Sequence, residues 1–587
     1  MGHRSTDEVM IDPRKGDVED DVSSSKRHSL VSLGGSLLSE ISLPRFFMAS
    51  ILLVVLPGVL IGMAPLLASI WVGVVLSKVS ASFTEWLPVF FLGALAVLGW
   101  VGGRPLLRFA ESGFWSLNAV AVQPGYVLCR ESFRHLAEVL LPTDLSQDRR
   151  ATTRAAGAAL SGLALCGLAL WVVVVAWPHS RWVGTSSDLT SPHLLVGPAL
   201  ANAVVLVAGY LAGAALVWGT ADALMAQPRD LPSFPPLSPG SRTWRVAHLS
   251  DLHAVGERYG FRIESGRMGA RGNDRIVQTL AQLDRIHAEK PLDLIIITGD
   301  MTDAGRSAEW AEFFDALAPH QGLSKLLVAL PGNHDLNVID RANPARLDLP
   351  TSPKKRLRQI RTISALNALH GSRMRIVDKE KGVLGATLSS VLESHLEDIT
   401  AFADRASLRL SRSLGDLWAS IFPMVLPPDP EDGLGVIILN SNAETHFSFT
   451  NALGLVSAEQ VYAIEIVTRQ YPRACWIVAL HHHVVEYPDR AKALSERIGT
   501  ALVNGSWFVR RLQSLAGRAV VMHGHRHVDW IGDCGGLLIV SAPSQVMEAR
   551  DEDDTFFYVH SLAIDSGGHL RLMIPERITV PGQPVAT

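Results

Sequence analysis

The chain has 587 residues, which leaves room for several domains. Hydrophobic residues make up 48% and charged residues 19%, a balance that excludes a disordered polymer. Formal net charge is −4, from 53 basic and 57 acidic residues, so the basic surplus of a dedicated nucleic-acid binder is absent.

Residues 1–45 are polar and mixed in charge, with Glu19, Asp20 and Asp21 followed by three serines. They read as a disordered cytoplasmic tail. The apolar stretch behind them begins too late for a secretory signal. From Phe46 to Gly103 the only charged residues are Lys78 and Glu85. Four apolar runs, at 47–77, 86–102, 156–178 and 194–221, predict about four spans within a helical transmembrane region at 46–222. Trp86, Trp100, Trp177 and Trp218 stand near run ends, where an aromatic belt places them.

Basic residues set the expected orientation. Arg4, Arg14, Lys15, Lys26, Arg27 and Arg45 lie in the tail; Arg104, Arg108, Arg130, Arg134, Arg149, Arg150 and Arg154 lie between the second and third runs. Both segments are expected to face the cytoplasm. Four spans then put the C-terminal half there too, in an integral protein of the cell membrane. The 104–154 segment is amphipathic in places and reads equally as a surface-lying helix or a connector packed on the spans. No charge lies at the centre of a span, which speaks against a transporter.

A proline-rich linker occupies 223–243. Beyond it, short apolar runs at 244–249, 292–298, 326–330, 436–440, 476–480, 519–523 and 537–541 fit buried strands. They alternate with helical stretches such as 274–289 and 457–470, which predicts an α/β sandwich over 244–575. A helical cap is expected at 336–432, from leucine and aromatic spacing between Leu388 and Ile421, and a tail at 576–587. The basic segment 352–361 reads as a solvated helix face, an anionic-lipid contact or a steering patch for phosphate. Cys129, Cys166, Cys475 and Cys534 form no CxxC, which argues against a disulfide framework or thiolate zinc site.

Several strands end in the same chemistry. Asp251-Leu252-His253 follows the first, Gly299-Asp300 with Asp303 the second, and Gly332-Asn333-His334-Asp335 the third. His481-His482-His483 and Gly524-His525-Arg526-His527 follow two later ones. Ligands of open α/β sheets bind at the carboxyl ends of strands. Oxygen and imidazole donors gathered there predict a metal centre, and their number suits two cations rather than one.

This ordered set, D-x-H, G-D-x-x-D, G-N-H-D, a histidine-rich strand end and G-H-x-H, resembles the calcineurin-like metallophosphoesterase superfamily. The resemblance implies two divalent ions, manganese, iron or zinc. Asp251, His253 and His527 would hold one, with Asp300 bridging. Asn333, His482 and His525 would hold the other, His481 being the alternative to His482. His334 would protonate the leaving oxygen, and a metal-bound hydroxide would attack phosphorus. Asp303 reads as a cap or an orienting group rather than a ligand. The implied protein is a membrane-anchored phosphoesterase acting on a phosphodiester or phosphomonoester, lipid- or nucleotide-derived, beside membrane lipids. A second reading is a membrane sensor or scaffold whose phosphoesterase-like domain binds a phosphorylated ligand without turnover.

Overall fold

The computed structural model describes residues 51–82, 123–140, 146–236, 240–257, 260–263, 270–340, 352–445, 448–488, 502–547 and 549–582, with isolated positions between them. The expected tail at 1–45 and nearly all of the second apolar run, 86–102, lie outside the described residues. The chain divides into two compact units at about Met225.

The first unit is helical, with α1 (Leu56–Ser82), α2 (Gln123–Leu140), α3 (Gln147–Ala176) and α4 (Val196–Ala223). Three helical stretches, Leu56–Ser77, Asp148–His179 and Pro192–Ala223, are long and apolar enough to cross a membrane. The shortest has 22 residues, and at about 1.5 Å per residue it covers the roughly 30 Å hydrocarbon core. Large apolar side chains such as Leu163, Trp171, Val174 and Val217 stay exposed on them. α3 and α4 touch backbone to backbone: a Cβ on Gly162 would lie 2.7 Å from the Ala215 carbonyl oxygen. Small residues allow that approach, which a soluble helix pair of leucines would not. Buried Asn202 on α4 donates from Nδ2 to the Gly62 carbonyl of α1 at 3.1 Å.

The second unit carries two sheets. Among the described residues one has nine strands in the order β1 (Arg229–Asp230), β11 (Trp530–Cys534), β12 (Leu537–Ser541), β10 (Ala519–His523), β9 (Cys475–Ala479), β8 (Leu434–Ile438), β7 (Met424–Leu426), β5 (Arg375–Asp378), β6 (Val383–Thr387). The other runs β14 (Leu570–Leu572), β13 (Thr555–Ile564), β2 (Arg242–Leu249), β3 (Leu294–Ile297), β4 (Leu327–Ala329), with β15 (Glu576–Val580) added on β13. Each of the seven short apolar runs lies on a strand: β2 (Arg242–Leu249), β3 (Leu294–Ile297), β4 (Leu327–Ala329), β8 (Leu434–Ile438), β9 (Cys475–Ala479), β10 (Ala519–His523) and β12 (Leu537–Ser541). β2, β3 and β4 are parallel, as are β8, β9, β10 and β12, so their carboxyl ends point the same way within each sheet. Val246, Ile296, Val328, Ile477 and Val520 are fully buried in one continuous apolar core with helices α5 (Asp274–Glu289) and α6 (Ser307–Leu317).

Three boundaries differ from the sequence reading. The proline-rich linker is partly sheet: β1 (Arg229–Asp230) pairs with β11 (Trp530–Cys534), and Trp530 Nε1 donates to Asp230 at 2.9 Å. The expected tail from 576 begins with β15 (Glu576–Val580), paired along β13 (Thr555–Ile564) with Val580 buried. The expected helical cap is mixed. It holds α7 (Pro353–His370), α8 (Leu388–Glu393), α9 (Leu396–Asp404) and α10 (Leu408–Ser420). It also holds β5 (Arg375–Asp378), β6 (Val383–Thr387) and β7 (Met424–Leu426), which extend the larger sheet. These strands are three to five residues long, too short to show a two-residue period against the helical pattern around them.

The basic segment is largely internal. Lys355, Arg358 and Arg361 of α7 are buried, Arg356 is half-buried and Lys354 is exposed. Arg358 pairs with Asp348 and donates from Nε to the Leu336 carbonyl at 2.8 Å, and Arg361 donates to the Gly305 carbonyl at 2.7 Å. Those guanidiniums brace loops behind the strand ends and have no face left for a lipid headgroup.

Candidate metal centre

The loops after β2 and β3 stay in register past the strands. The amides of Asp251 and His253 donate to the carbonyls of Gly299 and Asp300 at 3.1 and 2.9 Å. Asp251, His253, Asp300, His525 and His527 all have positive φ, between 46° and 75°. A non-glycine residue there costs of order 1–3 kcal/mol. The turn this strain produces points consecutive polar side chains into one volume at the sheet end.

Each central carboxylate spends one oxygen on a neighbouring loop. Asp251 Oδ2 accepts the His525 amide at 3.0 Å, and Asp300 Oδ1 accepts the His334 amide at 2.8 Å. The other oxygens face imidazoles. Asp251 Oδ1 lies 3.4 Å from His527 Nε2 and has no hydrogen-bond partner. Asp300 Oδ2 lies 3.1 Å from His481 Nε2 and 3.7 Å from His253 Nε2. Asn333 Oδ1 is 3.0 Å from His481 Nε2, and so is His525 Nδ1.

The tautomers follow from acceptor-only partners. His481 Nδ1 faces the Thr298 carbonyl at 2.8 Å and must carry the proton there, which turns the Nε2 lone pair of the neutral ring into the cluster. His253 Nδ1 faces Asp303 Oδ1 at 3.1 Å, and Asp303 Oδ2 accepts the Ile263 amide at 2.8 Å. Asp303 therefore bridges the His253 ring and the Ile263 amide. His334 Nδ1 donates to the Asp303 carbonyl at 2.7 Å, and its ring meets His253 edge-on at 4.3 Å.

The structure brings together Asp251, His253, Asp300, Asn333, His525 and His527, with His334 at their edge. His481, rather than His482, faces Asp300 and Asn333; the His482 ring lies against that of His525, with centroids 4.4 Å apart, and its Nδ1 meets Ser441 Oγ at 2.9 Å. Within a run of three histidines only the backbone turn after β9 decides which ring points inward. Gly332 stands in the G-N-H-D motif, but its steric role is visible only in the fold. A Cβ there would lie 2.0 Å from Asp300 Oδ1, so the Asn333 turn can close on Asp300 only with glycine.

Charge in the cluster is unbalanced in a telling way. Burial works to raise the carboxyl pKa values of Asp251 and Asp300, yet His527 holds Asp251 well below the usual range and His481 holds Asp300 below it. Burial disfavours the His481 cation, but Asp300 and Asp251 hold its pKa at about 9. His525, buried among other imidazoles, is held far below the usual value. Such a site attracts positive charge, and a cation displacing the His481 proton would satisfy it. Among the described residues three sets of three donors lie close enough to hold an ion: Asp251, His253 and His527; His253, Asp303 and His334; and Asp300, His481 and His525. Orphaned Asp251 Oδ1 and His253 Nε2 fit the same purpose.

The family model for calcineurin-like phosphoesterases matches residues 245–529. Those residues are a calcineurin-like phosphoesterase domain. No curated protein matches the chain significantly. Among solved structures, a putative 5'-nucleotidase from Staphylococcus aureus, in complex with alpha-ketoglutarate, superposes on the chain with TM-score 0.28 and 13% identity. The superposition covers 59% of this chain and 56% of that one. The NAD nucleotidase of Haemophilus influenzae gives TM-score 0.29 and 10% identity, over 58% and 57%. The chain thus spans little more than half the length of either structure, and likeness at this level is no guide to substrate. The phosphoesterase domain carries its candidate ligands on five separate strand ends.

Proposed function

We propose that the protein is a membrane-anchored phosphohydrolase that uses two divalent cations to cleave a phosphodiester or phosphomonoester. The observation carrying this reading is Asp300 Oδ2, which faces two histidines of different donor sets, His481 at 3.1 Å and His253 at 3.7 Å. A carboxylate so placed is suited to bridge ions about 3.5–4 Å apart. Asp251, His253 and His527 would hold one ion and Asn333, His481 and His525 the other, with Asp300 shared. Bound ions would neutralise phosphate oxygens and lower the pKa of an attacking water.

The chain's own groups do the rest. Asp303 fixes the His253 tautomer, and the Thr298 carbonyl fixes that of His481. The bond from His334 Nδ1 to the Asp303 carbonyl fixes that ring too, so that its protonated form would donate from Nε2–H to the leaving oxygen and be left neutral. The apolar helices of the first unit would tether this chemistry to the bilayer, with the domain in the cytoplasm.

The test is hydrolysis of a phosphomonoester and a phosphodiester dye substrate by the full-length protein in detergent with manganese. Turnover that disappears in Asp300→Asn and falls strongly in His334→Ala supports the reading. Two bound ions with no turnover of either ester would sink it and favour a phosphoester sensor.

A further inference from the structure

Helix α2 is built inside out. Its long charged side chains, Arg130, Glu131, Arg134 and Glu138, are buried, while Leu128, Leu136, Val139 and Leu140 are 50–74% exposed. Arg130 pairs with Asp222 of α4 at 2.6 Å and with Glu131 at 2.7 Å. Tyr126 donates to the same Asp222 at 3.1 Å, and Arg134 pairs with Glu131 at 3.0 Å. Glu138 accepts from Arg154 of α3 at 2.9 Å. A helix packed on a protein in water shows the opposite pattern, apolar stripe inward and charges outward.

The level of α2 along its neighbours is also fixed. Cys129 Sγ reaches the Ser161 carbonyl of α3, Arg134 packs on Gly157, and Glu138 meets Arg154. The helix therefore runs antiparallel beside residues 154–161, inside the apolar stretch Asp148–His179. Asp222 belongs to a second such stretch, Pro192–Ala223. The exposed face of α2 continues the apolar outer surface of those spans, where Leu160 and Leu163 are also open.

Resting on the membrane reading above, we propose that α2 is a further bilayer-embedded helix beside the three apolar stretches found among the described residues. It takes lipid acyl chains on Leu128, Leu136, Val139 and Leu140 and closes its charges into an ion-pair network with Asp222 and Arg154. In hydrocarbon an unpaired charge is costly, so ionisable groups turn to the bundle interior and pair. Among the described residues this network holds three arginines, Arg130, Arg134 and Arg154, against Glu131, Glu138 and Asp222. A search for long apolar stretches passes over α2, because half of its surface is polar.

The test places single cysteines at Leu136 and Val139 in the full chain, with its four native cysteines replaced. Leu163 on α3 and Leu408 on the phosphoesterase domain, 60% and 70% exposed, serve as references. Each variant is labelled with bimane in phosphatidylcholine–phosphatidylglycerol vesicles and quenched by doxyl-chain lipid or by aqueous iodide. The inference expects Leu136→Cys and Val139→Cys to lose most fluorescence to the lipid quencher and little to iodide, like Leu163→Cys and unlike Leu408→Cys. Iodide quenching at the two α2 sites with lipid quenching at Leu163→Cys overturns it while the membrane reading stands. Protection from both quenchers means that protein covers the face, which also overturns it. Iodide quenching at Leu163→Cys removes the membrane reading, and this inference with it.

Discussion

His253 Nδ1 and Asp303 Oδ1 lie 3.1 Å apart, both side chains buried, with the other Asp303 oxygen held by the Ile263 amide. Partners of this kind orient a metal-binding imidazole and raise its basicity, and their loss typically costs about 10–100-fold in metal affinity. Asp303→Asn is expected to weaken one manganese site by roughly that factor. Isothermal titration of the full-length protein checks this; an unchanged binding curve would remove Asp303 from the site.

The neighbouring histidines separate two assignments. His481→Ala is expected to lower metal content and abolish turnover, because its Nε2 meets Asp300, Asn333 and His525. His482→Ala is expected to keep the metal, since its Nδ1 is engaged with Ser441. Metal content by mass spectrometry reads both directly, and the reverse order would restore the sequence-based choice.

Gly332→Ala tests the close approach. The added carbon would meet Asp300 Oδ1 at 2.0 Å and its amide nitrogen at 2.2 Å. The shared carboxylate must move, so metal binding is expected to fail although no candidate ligand is changed. Retained stoichiometry would show that the turn yields at little cost.

Acid should unfold the second unit. Burial holds the pKa values of His370 and His560 down at about 4 each, against 6.5 for an exposed ring. The folded pKa lies below the unfolded one, so this stability is complete above pH 6.5 and is lost as pH falls towards 4. Each ring contributes up to about 3 kcal/mol of that loss. His370→Gln keeps a donor for the Ala329 carbonyl, now accepting at 2.9 Å, and removes the titration. Melting temperatures between pH 7 and 4.5 should then fall less steeply than in the parent, and equal slopes would refute the assignment.

Arg358 belongs to the fold rather than to a lipid surface. Arg358→Ala strands buried Asp348 and the Leu336 carbonyl, and breaking such a buried pair costs roughly 3–5 kcal/mol. Urea unfolding of the full chain should show this loss. Weaker binding to anionic vesicles at unchanged stability would return the segment to the surface.

Much of this protein is legible in its sequence. Apolar runs mark the three described helical stretches that are long and apolar enough to cross a membrane, because that property needs length and composition only. Short apolar runs followed by Asp-x-His, Gly-Asp, Gly-Asn-His-Asp and Gly-His-x-His mark the strand ends and most of the site, because parallel sheets gather those ends together. Tertiary structure decided the rest. His481 rather than His482 points inward because a single backbone turn sets the ring directions, which composition cannot express. Arg358 and Arg361 can be buried because acceptors distant in sequence reach them. The strands at 229–230 and 576–580 exist because partners far along the chain supply their hydrogen bonds. Helix α2 carries an ordinary amphipathic pattern, and only its packing on α3 and α4 shows that its charged face is the inner one.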